Sequence, residues 1–381
     1  MKLSRSIKVA VVALAATAVA TSTAFAAVTI QAGGSSFDAN LLNACKVAWQ
    51  NSTGNTFTYH SSDSGTGQKN QDAGIFEANF SDSGYAPAKS TVLNIPLVMA
   101  PIAVIYNLPG SKDLNLSEKT LSDIFAGKVT NWNDPEIAAD NNRSISQVVF
   151  AKNADGSVKK NAAGASVVLK TISVVRHYTL PNQAIKLVVR SDASGTTKNF
   201  VTLFTKTNSD VWTKAADKTF ANVFPGSING AGNIGRIQQF SGSTGVSAGL
   251  AKTPYSIGYA ETSYATGKLR TAFIGNENGD FAAPSAENTA AFVAGAKLVN
   301  GLYAFDYKTK SPGAYILGIV SYALADTAAS GEKAAAMTSF LKYVGSPACA
   351  ASADAAKGGY APESGPVKTY VDSLLAQLPT K

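Results

Sequence analysis

The sequence predicts an α/β fold in two lobes. Short β-rich runs alternate with helical stretches along the chain, which is the pattern of α/β sheets. About 355 residues remain once an N-terminal leader is set aside, enough for two lobes with separate cores. Apolar runs at Val98–Tyr106 and Tyr315–Tyr322 read as buried strands that such cores require.

The leader comes first. Lys2, Arg5 and Lys8 precede an apolar stretch from Val9 to Ala20, and Ala24-Phe25-Ala26 is a small-x-small cleavage site. Residues 1–26 therefore read as a secretory signal peptide. The apolar core is too short for a secure membrane span, and no later stretch reaches about 18 uninterrupted apolar residues. No cysteine stands at the cleavage point, which argues against a lipid anchor there. A free periplasmic protein is expected. Removing the leader takes away three basic residues and leaves 30 basic against 25 acidic, a net charge of +5. That mild positive field suits anion capture without identifying an anion. There is no block of consecutive like charges and no nucleic-acid motif.

Along the mature chain, Leu41, Leu42, Cys45, Ala48 and Trp49 fall on one face of a helix that follows a Gly33–Phe37 loop. Ser117 can cap the next clear helix, with Leu121, Ile124 and Phe125 inward and Gly127 at its end. Asp134-Pro135-Glu136 starts another, Asp as cap and Pro at the first helical position. Between about 143 and 178, Val148-Val149-Phe150 and Val167-Val168-Leu169 flank the turn-rich Asn153-Ala154-Asp155-Gly156-Ser157, which reads as a β-hairpin.

The most informative run is Lys186-Leu187-Val188-Val189-Arg190-Ser191-Asp192-Ala193-Ser194-Gly195-Thr196-Thr197. It reads as an apolar strand, a tight polar turn, and a helix continued by Phe200, Val201 and Phe204. The first N–H groups of a helix lack partners and carry partial positive charge, so they suit an anion. Ser194 and Thr196 add hydroxyls, and Gly195 permits close backbone approach. Arg190 offers a planar fork of donors to a tetrahedral oxyanion, and Asp192 can hold that fork in place. A helix cap beside a surface ion pair is the other reading of these residues.

Negative evidence narrows the chemistry. His60 and His177 are the only histidines, far apart and without a second ligand at metal-site spacing. There is no Gly-x-Ser-x-Gly elbow and no Walker loop. No metal, cofactor or catalytic set is assigned, and the chain is not read as an enzyme.

Arg-Ser-Asp-Ala-Ser-Gly-Thr-Thr at 190–197 closely resembles the Arg-x-Asp-x-Ser-Gly-Thr signature of periplasmic phosphate-binding proteins of the PstS type, the soluble receptors of phosphate ABC transporters. Ala32-Gly33-Gly34-Ser35-Ser36-Phe37 is similar to that family's opening Gly-Ala-(Thr/Ser)-Phe loop. Thr120-Leu121-Ser122-Asp123-Ile124-Phe125-Ala126-Gly127-Lys128-Val129-Thr130-Asn131-Trp132-Asn133-Asp134-Pro135 and Gly359-Tyr360-Ala361-Pro362 also match, and the resemblance covers roughly residues 28 to 378.

The resemblance implies a two-lobed periplasmic-binding-protein (type II) fold with a ligand cleft between lobes joined by a strand hinge. One lobe would comprise 27–106 plus 311–381 and the other 107–310, with the 143–178 hairpin inserted in it. It also implies high-affinity binding of inorganic phosphate by a monomer, and delivery to an inner-membrane ABC permease. Three loops would carry the ligand: Ser36 and Phe37; Ser64 within Asp63-Ser64-Gly65-Thr66-Gly67; and Arg190, Ser194, Gly195 and Thr196, with Asp192 supporting Arg190.

The family's Asp-Phe-Gly-x-Ser-Asp-x-Pro supplies the acceptor of the ligand's proton. Here Asn79-Phe80-Ser81-Asp82-Ser83-Gly84-Tyr85-Ala86-Pro87 shifts the aspartate, which makes Asp82 the candidate acceptor, Asp63 the fallback, and a turn-capping Asp82 the alternative. Cys45 and Cys349, both in an oxidising compartment, are a candidate disulfide because family topology brings the two ends of the chain into one lobe; two buried thiols are the alternative. Competing functions are a binder of another tetrahedral oxyanion such as sulfate, a secreted phosphate-ester hydrolase, which turnover of a chromogenic ester would reveal, and an extracellular scaffold, which predicts no tight oxyanion binding.

Overall fold

The computed structural model describes residues 27–110, 113–162, 165–352, 357–361 and 365–381. The signal-peptide reading and Pro362 lie outside the described residues.

In chain order come β1 (Thr29–Ser35), α1 (Ala39–Thr53), β2 (Thr56–Ser62), α2 (Ser64–Asp72), β3 (Ala78–Ser81) and β4 (Val92–Asn107). Next are β5 (Asn115–Leu116), α3 (Glu118–Ala126), α4 (Pro135–Asn141), β6 (Ser144–Phe150), β7 (Val168–Val175), β8 (Lys186–Arg190) and α5 (Gly195–Thr207). Then follow α6 (Phe220–Val223), β9 (Ile237–Phe240), α7 (Gly242–Lys252), β10 (Ser256–Glu261), β11 (Arg270–Thr271), β12 (Phe273–Gly275), β13 (Phe281–Ala282) and α8 (Ala286–Val293). The chain closes with β14 (Lys297–Val299), β15 (Leu302–Ala304), β16 (Gly318–Asp326), α9 (Glu332–Val344), α10 (Pro347–Ala350) and α11 (Gly365–Leu375).

The main sheet has the strand order β2-β1-β3-β16-β4-β10-β8-β9, with β11 also on β4. Its two ends are built alike: β1 pairs parallel with β2 and β3, and β8 pairs parallel with β9 and β10. Between them, β4 changes partner along its length. Residues 92–101 pair antiparallel with β16 and residues 102–107 with β10. One strand thus belongs to both halves. It is apolar and almost wholly buried, as the reading of Val98–Tyr106 required, and extends further at each end. The second apolar run differs from expectation: the strand starts at Gly318, and buried Tyr315–Leu317 form a turn whose Leu317 carbonyl accepts from Ile102 N–H.

Local signals place the helices. Ser117 caps α3 by accepting from Thr120 N–H, and Gly127 ends it at a positive φ of 79°. Asp134 caps α4, with Pro135 at its first position. On α1, Leu41, Leu42, Cys45 and Trp49 are buried, but Ala48 is exposed. At 3.6 residues per turn these buried positions span the arc from Leu41 to Leu42, and Ala48 falls just outside it, beyond the stripe that meets α9. There the Trp49 and Phe340 rings meet edge to face at 5.1 Å. Cys45 and Cys349 are disulfide-bonded, tying α1 to α10.

The 143–178 region forms a paired ribbon of β6 and β7 in a sheet of their own. Its base is clamped by Asn142, whose amide donates to the Tyr178 carbonyl and accepts from Tyr178 N–H. Among the described residues no helix is long and apolar enough to cross a membrane.

Candidate functional site

Parallel strands deliver their following residues to one edge, and in open α/β sheets ligands lie beyond the carboxyl ends of the strands. Here both parallel sets end in polar residues. Ser36 follows β1, Asp63 and Ser64 follow β2, Asp82 follows β3, Arg190 ends β8, and Gly242 and Ser243 follow β9. The Gly33–Gly34 pair lies within β1, so the expected loop is the shorter turn Ser36–Asp38.

Glycine sets how close these segments come. Gly34 has φ 118°, and a Cβ there would lie 2.2 Å from the Phe80 carbonyl oxygen; one at Gly67 would lie 2.4 Å from the same atom. No side chain fits, so β1, β3 and the start of α2 meet through their backbones. Gly195 does the same for the far half: a Cβ would lie 2.5 Å from Ser64 Oγ and 3.0 Å from Asp82 Cβ.

Three serine hydroxyls at this junction each accept a bond from a backbone N–H. Ser36 Oγ accepts from Ser243 N–H at 2.9 Å, Ser64 Oγ from Asp82 N–H at 3.2 Å, and Ser194 Oγ from Thr197 N–H at 3.1 Å. Each hydroxyl still has its one proton to give, together with a second lone pair. Ser36 Oγ also lies 3.1 Å from Ser243 Oγ. Phe37, Ser64, Ser194 and Thr196 are all buried, as is Gly195.

Arg190 is 2% exposed, and Asp192 grips it through two bonds of 2.6 Å, Nε to Oδ1 and Nη2 to Oδ2. Guanidinium carries five N–H donors, so three remain for a ligand. Burial works against the charge, but Asp192 outweighs it and the net pKa is raised. Asp192 in turn accepts from Gly242 N–H. Behind this loop, Tyr259 stacks on Phe200 at 4.2 Å and shares a 2.7 Å bond with the Thr197 hydroxyl, fixing the start of α5.

The Asp82 carboxylate does not cap a turn. Its Oδ2 accepts from Thr196 Oγ1 at 2.6 Å, and its Oδ1 lies 3.2 Å from Ser321 Oγ. The Thr196 hydroxyl is therefore committed to Asp82, leaving its N–H in the first turn of α5 for an anion. Burial raises the Asp82 pKa, while hydroxyls of Ser35, Thr196 and Ser321 and the Arg190 charge pull it back. Asp63 is the N-cap of α2, accepting from Thr66 N–H and Thr66 Oγ1 at 2.8 Å each, and it is only half-buried where Asp82 is buried, so the fallback acceptor reading gives way to a helix cap.

The halves are bonded across the junction. Gly65 N–H donates to the Ala193 carbonyl, Asn199 to the Asp82 carbonyl, and Lys218 to Gln68. This is a closed arrangement, with the polar groups shielded from water.

Sequence reasoning missed Asp38, Ser243 and Ser321. Asp38 is fully buried at the N-cap position of α1, yet its side chain makes no cap bond; Oδ2 accepts from Ser321 Oγ at 2.8 Å and Oδ1 has no partner among the described residues. The available signal was Ser321 itself, a hydroxyl amid the apolar run of β16.

A family model described as "PBP superfamily domain" matches residues 18–348. Phosphate-binding protein PstS 3 of Mycobacterium tuberculosis (strain ATCC 25618 / H37Rv) is 30% identical over 312 residues, covering 77% of this chain and 72% of that protein. Phosphate-binding protein PstS of Pasteurella multocida is 29% identical over 275 residues, covering 71% and 67%. Among solved structures, a high affinity periplasmic phosphate-binding protein (PfluDING) bound with phosphate aligns at TM-score 0.63 and 19% identity, covering 91% of this chain and 93% of that one. A phosphate-binding protein from Stenotrophomonas maltophilia aligns at TM-score 0.59 and 16% identity with the same coverage. At these identities the structural likeness speaks to the fold alone.

Proposed function

This chain belongs to the PBP superfamily, among the phosphate-binding proteins of the PstS family, and from that membership we propose that it captures inorganic phosphate in the periplasm and hands it to an inner-membrane ABC permease. One observation carries the assignment: Arg190, the one buried cation among the described residues, is paired with Asp192 and ends a strand at the same sheet edge as Ser36, Ser64 and Ser194, hydroxyls set by backbone N–H groups at three helix starts. Such a site holds a tetrahedral anion by many directed bonds and little net charge. Ser36, Phe37, Ser64, Arg190, Ser194, Gly195 and Thr196 donate, Asp82 accepts, and Asp192 aims Arg190. The protein acts by binding, leaving the ligand chemically unchanged.

Asp82 carries the choice of anion. Hydrogen phosphate has a proton to offer; sulfate has none, and against a buried carboxylate it would set lone pairs on lone pairs. In calorimetry on phosphate-stripped protein, sulfate is expected to compete poorly with phosphate, and arsenate well. Asp82→Asn should weaken phosphate by about 1.5–3 kcal/mol and admit sulfate, because the amide can donate. An unchanged phosphate-to-sulfate ratio in that variant would remove Asp82 from the role. A wild type that takes sulfate as tightly would favour a general oxyanion binder.

The resemblance divides the chain into lobes of 27–106 with 311–381 and of 107–310, and the hinge between them would lie on β4, which exchanges β16 for β10 between residues 101 and 102. Phosphate should then close them. The radius of gyration from X-ray scattering is expected to fall, and the melting temperature to climb with added phosphate. Tight binding with an unchanged radius would replace the clamp by a preformed pocket.

A further inference from the structure

Asp38 and Asp82 both approach the same hydroxyl, Asp38 Oδ2 at 2.8 Å and Asp82 Oδ1 at 3.2 Å from Ser321 Oγ. A serine hydroxyl owns one proton and can point it fully at one oxygen. Both contacts are full hydrogen bonds only when one carboxyl carries a proton. Two carboxylates sharing a buried site do not readily ionise together. The other oxygen of Asp38 has no partner among the described residues, although the side chain is entirely buried. An ionised Asp38 would leave that oxygen's charge unsatisfied, whereas the three contacts of Asp82 with Thr196, Ser321 and the field of Arg190 suit an anion.

We propose that Asp38 is the proton keeper of this pair: through Ser321 it holds the one proton that would otherwise sit on Asp82, and so keeps Asp82 a bare acceptor for the ligand. The inference rests on the reading of the site as a phosphate site and adds to it a residue that sets when that site is competent.

The step balances. A proton on Asp82 passes to Ser321 Oγ while Ser321 passes its own to Asp38 Oδ2, so the hydroxyl is regenerated and one proton has moved. Asp82 then accepts the P–O–H of the ligand. The groups around Asp38 are Asp82, Tyr59 on β2, Glu261 at the end of β10, Tyr264 just after it, and Tyr360. Arg190 faces the pair from the side of Asp82. The Asp38 pKa lies well above the usual carboxylate range, through burial first and the Asp82 charge second, with the Ser321 bond opposing. Burial pushes Tyr59 and Tyr360 upward and Tyr264 to about 12, so these phenols stay protonated below pH 10. Glu261 is pushed up to about 7 by burial and is the one neighbour needing a control.

When alkaline pH strips the shared proton, both carboxylates are charged and phosphate must restore the proton to bind. Calorimetry of phosphate binding in buffers of different ionisation enthalpy, from pH 7.5 to 10, counts that proton. In the upper part of this range free phosphate is almost entirely the dianion and adds nothing of its own to the count. The wild type is expected to take up a proton count rising toward one, with affinity falling up to about tenfold per pH unit once the pair has lost its proton. Asp38→Asn should take up none and keep its affinity flat; Glu261→Gln should behave as wild type. No uptake by wild type, undiminished uptake by Asp38→Asn, or loss of uptake in Glu261→Gln alone overturns the proposal. The wild-type series stands whether or not the variant folds. A wild type that binds no phosphate at pH 7.5 would instead overturn the underlying phosphate reading, and the inference with it.

Discussion

Arg190→Ala is expected to weaken phosphate binding by about 2–5 kcal/mol, the range for truncating one partner of a buried, hydrogen-bonded charge pair. That corresponds to roughly 30-fold to several-thousand-fold. The cost has two parts that can be separated. Three N–H donors to the ligand disappear, and Asp192 is left with Gly242 N–H as its remaining partner. The first part appears only in affinity; the second also lowers the stability of the free protein. Asp192→Ala combined with Arg190→Ala should therefore recover stability without recovering binding. Arg190→Lys should rescue partly, since an ammonium lacks the planar fork. Titration of phosphate into the three variants, beside urea unfolding of each, checks both parts. Near-wild-type affinity for Arg190→Ala would remove the central group of the site.

Loss of the Cys45–Cys349 disulfide should cost about 3–5 kcal/mol of stability. The bond joins residues 304 apart in sequence, so it restrains most of the unfolded chain. It also fixes α1 against α10 on the face where Trp49 meets Phe340. Cys45→Ala with Cys349→Ala is expected to unfold at clearly lower urea than the oxidised wild type, and reduced wild type should move the same way. Phosphate affinity should change little, because Cys45 stands about two turns, or roughly 10 Å, along α1 from its site end. Equal unfolding midpoints for the variant and the oxidised wild type would show that the rest of the fold suffices.

Much of this architecture was legible because its signals are local. Ser117, Asp134 and Gly127 announce helix ends by chemistry that acts within a few residues. The strand-turn-helix at 186–197 likewise carries its strand, its Arg190–Asp192 pair and its cap in one short run. What stayed hidden depends on contacts between distant segments. Ser321 and Asp38 are 283 residues apart, and Ser36 and Ser243 are 207 apart. Read alone, Asp38 is an ordinary helix cap and Ser321 an interruption in an apolar strand. Asp63 failed in the opposite sense: beside Ser64 it looked like a ligand group, but its spacing to Thr66 is that of a cap, and the local bond wins.

The burial of Ser36, Ser64, Asp82, Arg190 and Thr196 has a further consequence for how cargo is vetted. On the proposed function, a transporter docked outside the shut halves would touch none of the atoms that distinguish one anion from another. It can sense only that the receptor has shut, as a turnstile senses a token's fit and not its issuer. A mistaken anion able to hold the halves together would be passed inward unchallenged. On the proposed role of Asp82, discrimination for the whole import route would be concentrated in that one buried contact, with no later step able to proofread it.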